Sequence, residues 1–591
     1  MSEQHWIAVE DIAQHIDFST PSSVIIVAPN GAGKTTSIIK YVTARARLPG
    51  IERIYLLSTS HKISEKHSKQ VARANLKVIH YKSLDRSCIN RELLNKVVSL
   101  GLEPSFACLI CPYNAINKLK AKNEADIAKI FKKIYEQPKR IVSVETIEDS
   151  RLDKEKICYY PVIKHIVLDP AFDKYFDSSL IIATPYHLFI ARQVMQYWNE
   201  FAKRQRKIKR YIQIFDEADS LFYTGITYTL HRYEPTEFDR ENASDLLELF
   251  SIQQKILEIF SSSVYDYNRH RELIRTLRRS KELLLSGFDF FDYQKKAFEE
   301  GAPTNLIKVI SEQLQLFGIK QAIPYRMAHL WYLSATVSDS SIVIEDRDFT
   351  YDIILNIYYP FKEWIKIALT GTLPKSEILQ MSQLLSKGKR LLDYTKSLHV
   401  VPTNIEFFAF QLFSYGEIVL RNLQMLGKLN EMFEIIKQLA QIYMEREGMV
   451  PRGILVVLQN KLQYNYLKKA LAKYVTRQLR GFTEIAFSGI EIGFTYNASP
   501  ISRGVDYDHY DISIVIAPLL RPPRRIIRYD IMDYARAVAE AVQSAFRIVR
   551  SLKPQRKKYV AFERFLLFEI YYELLPQWLK EAIEKYGITF I

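Results

Sequence analysis

The chain has 591 residues and a mass of 69.1 kDa, which at ~150 residues per domain gives about four domains. Hydrophobic residues make up 48% and charged residues 25%, a balance that excludes a disordered chain, a collagen-like repeat and a small disulfide scaffold. Lys and Arg total 82 against 66 acidic residues, a net +16 at neutral pH, which favours a polyanionic partner: nucleic acid or an anionic membrane surface.

Residues Met1–Ile16 carry Glu3, Glu10 and Asp11 and no basic stretch, so no signal peptide is expected. No apolar run nears the ~18 residues of a membrane span, so the expectation is a soluble, intracellular protein of cytoplasm or nucleoid, without a membrane partner. Ser23–Ala28 is the first of a series of short β-branched runs that end in polar or glycine-rich loops and lead into helical periodicity, the pattern of parallel α/β units. Arg53–Ser58, Leu180–Thr184, Tyr211–Phe215 and Ile365–Thr370 continue it. Gly453–Leu458, Glu491–Tyr496 and Ile512–Pro518 form a second series. Short, fully apolar strands belong in sheets covered on both faces. Two such sheets fit the length.

Two insertions interrupt the first series. Residues 82–161 read as loop-rich and hold all four cysteines; residues 221–340 read as amphipathic helices. The expected division is residues 1–81, 162–220 and 341–374 as the first sheet domain, with 82–161 and 221–340 threaded into it. Residues 375–591 form the second.

The first strand runs into Ala28-Pro29-Asn30-Gly31-Ala32-Gly33-Lys34-Thr35. This is the phosphate-binding pattern GxxxxGK followed by Ser or Thr, with Ala28 in place of the first glycine. Gly31 and Gly33 let backbone N–H groups close around phosphate oxygens, and the following helix presents its positive end. Lys34 then reaches the outer phosphates of ATP and the Thr35 hydroxyl holds Mg2+. Tyr211–Phe215 ends in Asp216-Glu217-Ala218-Asp219, which places Asp216 to bind Mg2+ and Glu217 to polarise the attacking water.

With these motifs in order, the chain resembles superfamily 2 helicases, specifically the iron–sulfur group containing XPD and DinG. Ser58-Thr-Ser-His61 resembles motif Ia, Ala183-Thr-Pro-Tyr186 the "APYNYL" segment before motif II, and Ser502-Arg-Gly504-Val-Asp506 motif V. Gln543-Ser-Ala-Phe-Arg547-Ile-Val-Arg550 resembles motif VI, QxxGRxxR. The resemblance implies two RecA-like parallel-sheet domains, an iron–sulfur insert and a helical arch-like insert, with Gly504, Asp506, Gln543, Arg547 and Arg550 facing ATP from the second domain. Arg547 and Arg550 would neutralise transition-state charge. The sequence departs from the family at Asp219, usually His, at Phe546, usually Gly, and at Ile63, usually Gln. Two segments compete for motif III: Leu333-Ser334-Ala335-Thr336, and Thr370-Gly371-Thr372-Leu373-Pro374, which resembles "SGTLP". The second is favoured because it directly ends an apolar strand.

Cys88, Cys108, Cys111 and Cys158 all lie within residues 88–158, a crowding that random placement gives less than about once in a hundred. Four thiolates at this spacing suit a 4Fe–4S cluster or tetrahedral Zn2+; the family resemblance selects iron–sulfur. It also implies an ATP-dependent, 5′→3′ helicase on single-stranded or forked DNA, expected to be a monomer. Basic runs at Lys203–Arg210, Arg269–Lys281 and Arg521–Arg525 are candidate phosphate contacts. The rival readings are a duplex translocase that remodels nucleoprotein, and an ATP-binding clamp that does not hydrolyse.

Overall fold

A computed structural model describes residues 5–6, 23–27, 33–45, 51–144, 147, 157–176, 179–185, 210–218, 226–261, 267–322, 333–337, 341–346, 365–372, 395–399, 404–412, 428–496, 507–516, 531–549, 554–563 and 569–591. In chain order its strands are β1 (His5–Trp6), β2 (Ser23–Val27), β3 (Ile51–Ser58), β4 (Val78–His80), β5 (Ile141–Val142), β6 (Leu180–Pro185) and β7 (Arg210–Asp216). Then follow β8 (Ile226–His231), β9 (Leu333–Val337), β10 (Ser341–Asp346), β11 (Ile365–Thr370), β12 (Thr395–His399) and β13 (Ile405–Phe410). The last are β14 (Gly453–Leu458), β15 (Val475–Leu479), β16 (Phe482–Phe487), β17 (Ile490–Tyr496), β18 (Ile512–Val515), β19 (Lys558–Glu563) and β20 (Thr589–Phe590).

These build two large sheets and one small one. The first has nine strands in the order β1-β12-β2-β11-β7-β3-β6-β4-β5, every pairing parallel. The second has eight, β15-β16-β17-β14-β18-β19-β13-β20, parallel except for the β15–β16–β17 meander at one edge. This mixed α/β architecture with two parallel sheets is the one expected from the strand series. Alternation along β3 shows why its run is apolar throughout. Ile54 and Leu56 enter the core under helices α1 (Lys34–Arg45) and α2 (His61–Arg73), while Tyr55 and Leu57 enter the core on the opposite face. Both faces of the strand are covered, so both residue sets are hydrophobic.

One buried cation breaks that run. Arg53 is 0% exposed; it ion-pairs with Asp173 and donates to Tyr55 at 3.0 Å, to the Val167 carbonyl at 3.0 Å and to the Asp169 carbonyl at 2.9 Å. A buried guanidinium is tolerable only when its donors are met. Here they staple β3 to the segment 167–173.

Three expectations about organisation change. β12 pairs with β1 and β2, so the first sheet extends past the expected boundary at 374/375. β10 pairs with β8 and β9 in a three-stranded antiparallel sheet, so residues 341–346 belong with the second insertion. The described residues of 82–161 are not loop-rich. They form helices at 84–87, 91–99, 104–110, 115–118 and 124–135, and β5 re-enters the first sheet beside β4. The two insertions also share a core: Leu94, Val97, Leu102 and Phe106 from the first pack with Leu249, Tyr293 and Leu306 from the second. Thr304 N–H donates to the Leu100 carbonyl at 2.8 Å, and Glu103 N–H donates to Gln294 Oε1 at 3.0 Å. Sequence periodicity reports which face of a helix is apolar; it does not report that two insertions separated by residues 162–220 bury those faces against each other.

Candidate nucleotide and metal site

The strands that carry the nucleotide motifs end along one edge of the first sheet. β11 separates β2 from β7, with Val27 opposite Thr370 and Asp216 opposite Leu369. The loop after β2, the loop after β11 and the acidic tip of β7 therefore open on the carboxyl edge, where parallel α/β sheets bind ligands. Ala28–Ala32 lie outside the described residues. Gly33 takes φ +80°, a left-handed conformation that costs a glycine nothing, and its carbonyl accepts from Ser37 N–H at 2.9 Å in the first turn of α1. Lys34, at the helix start, is buried.

Thr35 and Asp216, 181 residues apart in sequence, meet directly. The Thr35 hydroxyl donates to Asp216 Oδ1 at 2.7 Å. On the other carboxylate oxygen, His67 Nε2 of α2 lies 2.9 Å from Oδ2. Burial raises the Asp216 carboxyl, but the His67 hydrogen bond and charge, the Lys34 ammonium and the Thr35 hydroxyl outweigh it and hold the group below the ordinary carboxylate range. Asp216 is thus an ionised, oriented carboxylate. Its neighbour Glu217 adopts φ +53°, a strained backbone for a non-glycine residue. Glu217 accepts from the Thr59 hydroxyl at 2.8 Å, and Ala218 N–H donates to the Leu369 carbonyl at 2.9 Å, which holds the segment in that conformation. Asp219 lies outside the described residues. His67 escaped the sequence reading because a histidine in an amphipathic helix carries no local mark; its position one turn beyond Ile63 in α2 was the available signal.

The segment Thr370–Thr372 touches the second sheet's helices at two points. Gln543 Nε2, in helix Ile531–Ala545, donates to Thr372 Oγ1 at 3.3 Å. Trp578 Nε1, in helix Gln577–Tyr586, donates to the Gly371 carbonyl at 2.8 Å. Ser334-Ala335-Thr336 lies in β9 of the small antiparallel sheet, paired with β10, and takes no part in this edge. Phe546, where the resemblance to motif VI leads one to expect glycine, is a core residue, 1% exposed. Its ring lies T-shaped on Trp578, centroids 4.7 Å apart, with Phe407 at 6.4 Å. Arg547 beside it is buried. Gly504, Asp506 and Arg550 lie outside the described residues, as do Lys203–Lys209 and Arg521–Arg525.

The four cysteines line one small cavity, with Leu84, Ile89, Leu93 and Pro161 as its apolar wall. All are free thiols. The backbone arranges them: Cys158 N–H donates to the Tyr113 carbonyl at 2.6 Å and the Cys158 carbonyl accepts from Ala115 N–H at 3.0 Å, a short parallel bridge at Asn114. Asn114 Nδ2 donates to the Cys108 carbonyl at 2.7 Å. Burial first, then the neighbouring thiolate charges, push the Cys108 thiol up to about 12, and burial with the same neighbours, against a backbone hydrogen bond from Tyr160, does so at Cys158. A cation in the cavity reverses that balance, because it favours thiolate. Four thiols around one cavity are a donor set for zinc or for an iron–sulfur cluster.

Helix Tyr267–Leu284 buries Leu273 and Leu277 and leaves Arg275, Arg278 and Lys281 exposed. Arg279 on the same helix is tied to Glu248 at 2.8 Å. Among the described residues no helix is long and apolar enough to cross a membrane.

No protein-family model and no curated protein sequence matches the chain. Among solved structures, the chain is similar to Saccharomyces cerevisiae Dbp5 bound to RNA and ADP BeF3, with 9% identity, a TM-score of 0.33, and coverage of 97% of this chain and 85% of that one. It is similar to a DEAD box protein from the hyperthermophile Methanococcus jannaschii, with 11% identity, a TM-score of 0.31, and coverage of 99% and 91%. It is also similar to the Pyrococcus furiosus Hef helicase domain, with 13% identity, a TM-score of 0.28, and coverage of 96% and 97%.

Proposed function

We propose that the chain is an ATP-dependent nucleic-acid helicase of the superfamily 2 type, acting on single-stranded or forked DNA. The observation that carries this reading is the meeting of Thr35 with Asp216 beside Lys34, at the carboxyl edge of a parallel sheet. A hydroxyl and an ionised carboxylate in contact are the two protein groups that share a Mg2+ ion in P-loop nucleotide hydrolysis. Lys34 supplies charge for the outer phosphates. Thr35 and Asp216 would hold Mg2+, which screens the phosphate charge when bound. Glu217, held by Thr59, orients and deprotonates the attacking water.

The second sheet supplies the coupling. Gln543 rests on Thr372, so a change at the nucleotide edge reaches the helix that leads into Arg547. Arg547 and Arg550 would act on the charge that develops in the transition state, and Gly504 and Asp506 would complete the ATP site. Closure of the two sheets on ATP, and opening after hydrolysis, would advance the strand. Exposed basic side chains such as Arg275 and Arg278 would contribute phosphate contacts. Cys88, Cys108, Cys111 and Cys158 would hold a 4Fe–4S cluster. Support for this comes from their shared cavity.

The test is ATP hydrolysis with and without single-stranded DNA or RNA, beside strand displacement, for the wild type and Lys34→Ala. Stimulated hydrolysis and displacement, both lost in the variant, are expected. A variant that hydrolyses ATP at the wild-type rate overturns the nucleotide site. Stimulated hydrolysis without displacement on any forked substrate overturns the helicase.

A further inference from the structure

We propose that the second sheet carries a divalent-cation site of the Zn2+ class, formed by Glu484, Glu491 and His509. One donor atom from each lies within 4.8 Å of the other two. They come from three separate backbone segments: β16, β17 and the turn before β18. The β16–β17 hairpin places both carboxylates on one face. Glu484 pairs with Gly493 and Ala486 with Glu491, and directly opposed residues share a face, so the two glutamates are diagonal neighbours.

Like charges at such positions repel; Arg477 of β15 stands opposite Glu484 in register but forms an ion pair with neither glutamate. Glu484 is 6% exposed. Its hydrogen-bond partner is the neutral hydroxyl of Tyr510, and neither glutamate forms an ion pair with His509 or with any other described residue. A buried carboxylate without a cation is costly. Three donors that converge without bonding one another leave room for an ion between them. Imidazole with two carboxylates is a donor set for Zn2+ and its first-row relatives, water completing the shell.

The surroundings are built to orient Glu484. The Tyr510 ring lies over two glycines. A Cβ on Gly453 would come within 2.6 Å of that ring, and one on Gly493 within 2.5 Å of the hydroxyl. The bare strand positions let the phenol lie flat and hold Glu484, the arrangement by which outer groups fix a ligating carboxylate. The ion would pin the hairpin to residues 507–510, independently of the cysteine cavity and of the nucleotide site.

Titration of full-length, EDTA-treated protein with Co2+, in competition with Zn2+, tests this, with cysteine-bound metal quantified separately. Expected is one site whose visible absorption is that of oxygen and nitrogen ligands, without thiolate charge transfer. Glu491→Gln and His509→Gln, both on accessible side chains, should each weaken it at least about tenfold, and Tyr510→Phe by about tenfold. Circular dichroism serves to confirm that each variant is folded. Absence of an oxygen/nitrogen Co2+ spectrum in the wild type, or equal affinity in folded Glu491→Gln and His509→Gln, overturns the site.

Discussion

His67 Nε2 lies 2.9 Å from Asp216 Oδ2, on the oxygen opposite the one that accepts from Thr35. Because the Asp216 carboxyl is held ionised, it can only accept, so Nε2 carries the proton and donates. Helix α2 thereby sets the rotation of the carboxylate proposed to bind Mg2+. Groups that orient a metal ligand are worth about 10–100-fold in metal affinity or activity. For His67→Ala, the Mg2+ concentration giving half-maximal ATP hydrolysis should rise by about that factor. A Mg2+ titration of the steady-state rate measures it; an unchanged midpoint would show that Asp216 is held in place without His67.

Glu217→Gln should retain Mg2+–ATP binding and lose turnover. The amide keeps the size and the hydrogen bond from Thr59 but cannot take a proton from water. Nucleotide affinity by fluorescence, set beside single-turnover hydrolysis, separates the two effects. Undiminished hydrolysis would assign water activation to another group.

Gln543→Ala removes the side-chain bond from the second sheet to Thr372 and leaves the Trp578 bond to the Gly371 carbonyl. Stability should change by no more than about 1 kcal/mol, the net worth of one ordinary hydrogen bond. Nucleic-acid stimulation of hydrolysis should fall far more than basal ATP affinity does. Equal stimulation in variant and wild type would place the coupling elsewhere.

Cys111→Ser should release iron and impair strand displacement more than hydrolysis. Its residue lines the cavity shared by the four thiols, distant in the chain from Lys34 and Asp216. Iron and zinc content, stimulated hydrolysis and displacement are to be read on one anaerobic preparation. Stoichiometric zinc without iron in the wild type would replace the cluster by a zinc site.

Asp511 provides the pH test. Its carboxylate meets Arg452 at 2.9 Å, Arg556 at 3.1 Å and the buried Lys558 at 3.1 Å. Burial raises its carboxyl, yet the Arg452 hydrogen bonds and the Lys558 ammonium leave it below its ordinary value. A depressed carboxyl contributes stability that is fully present above its unfolded pKa of ~3.9 and is lost as pH falls through the folded value. Asp511→Asn should therefore cost about 3–5 kcal/mol at neutral pH, since Lys558 is left buried without its anion. It should also flatten the loss of stability below about pH 4. Denaturant melts of both proteins across pH 3–7 measure both effects.

The residues proposed to handle nucleotide were legible because their chemistry is local. Gly33, Lys34 and Thr35 follow an apolar strand, Asp216 and Glu217 end another, and β-branched runs covered on both faces mark strands without reference to anything distant. β12 was not legible for the converse reason: Thr395–His399 holds a single apolar residue, Leu398, and joins the sheet only because β1 and β2 flank it. Of the two candidate segments for motif III, the sequence favoured Thr370–Pro374 because it ends an apolar strand. Strand register puts the two in different sheets, Thr370 opposite Val27 and Thr336 opposite Val343. Phe546 read as a defect in a glycine position until Trp578 and Phe407 supplied the pocket that its ring fills. His67 on Asp216, Gln543 on Thr372 and the core shared by the two insertions are all contacts between segments far apart in the chain. Sequence determines which residues can donate, accept or be buried; which of them meet is decided only when strands take their order and helices close over both faces, because that order follows from the packing of the whole chain and not from any one segment.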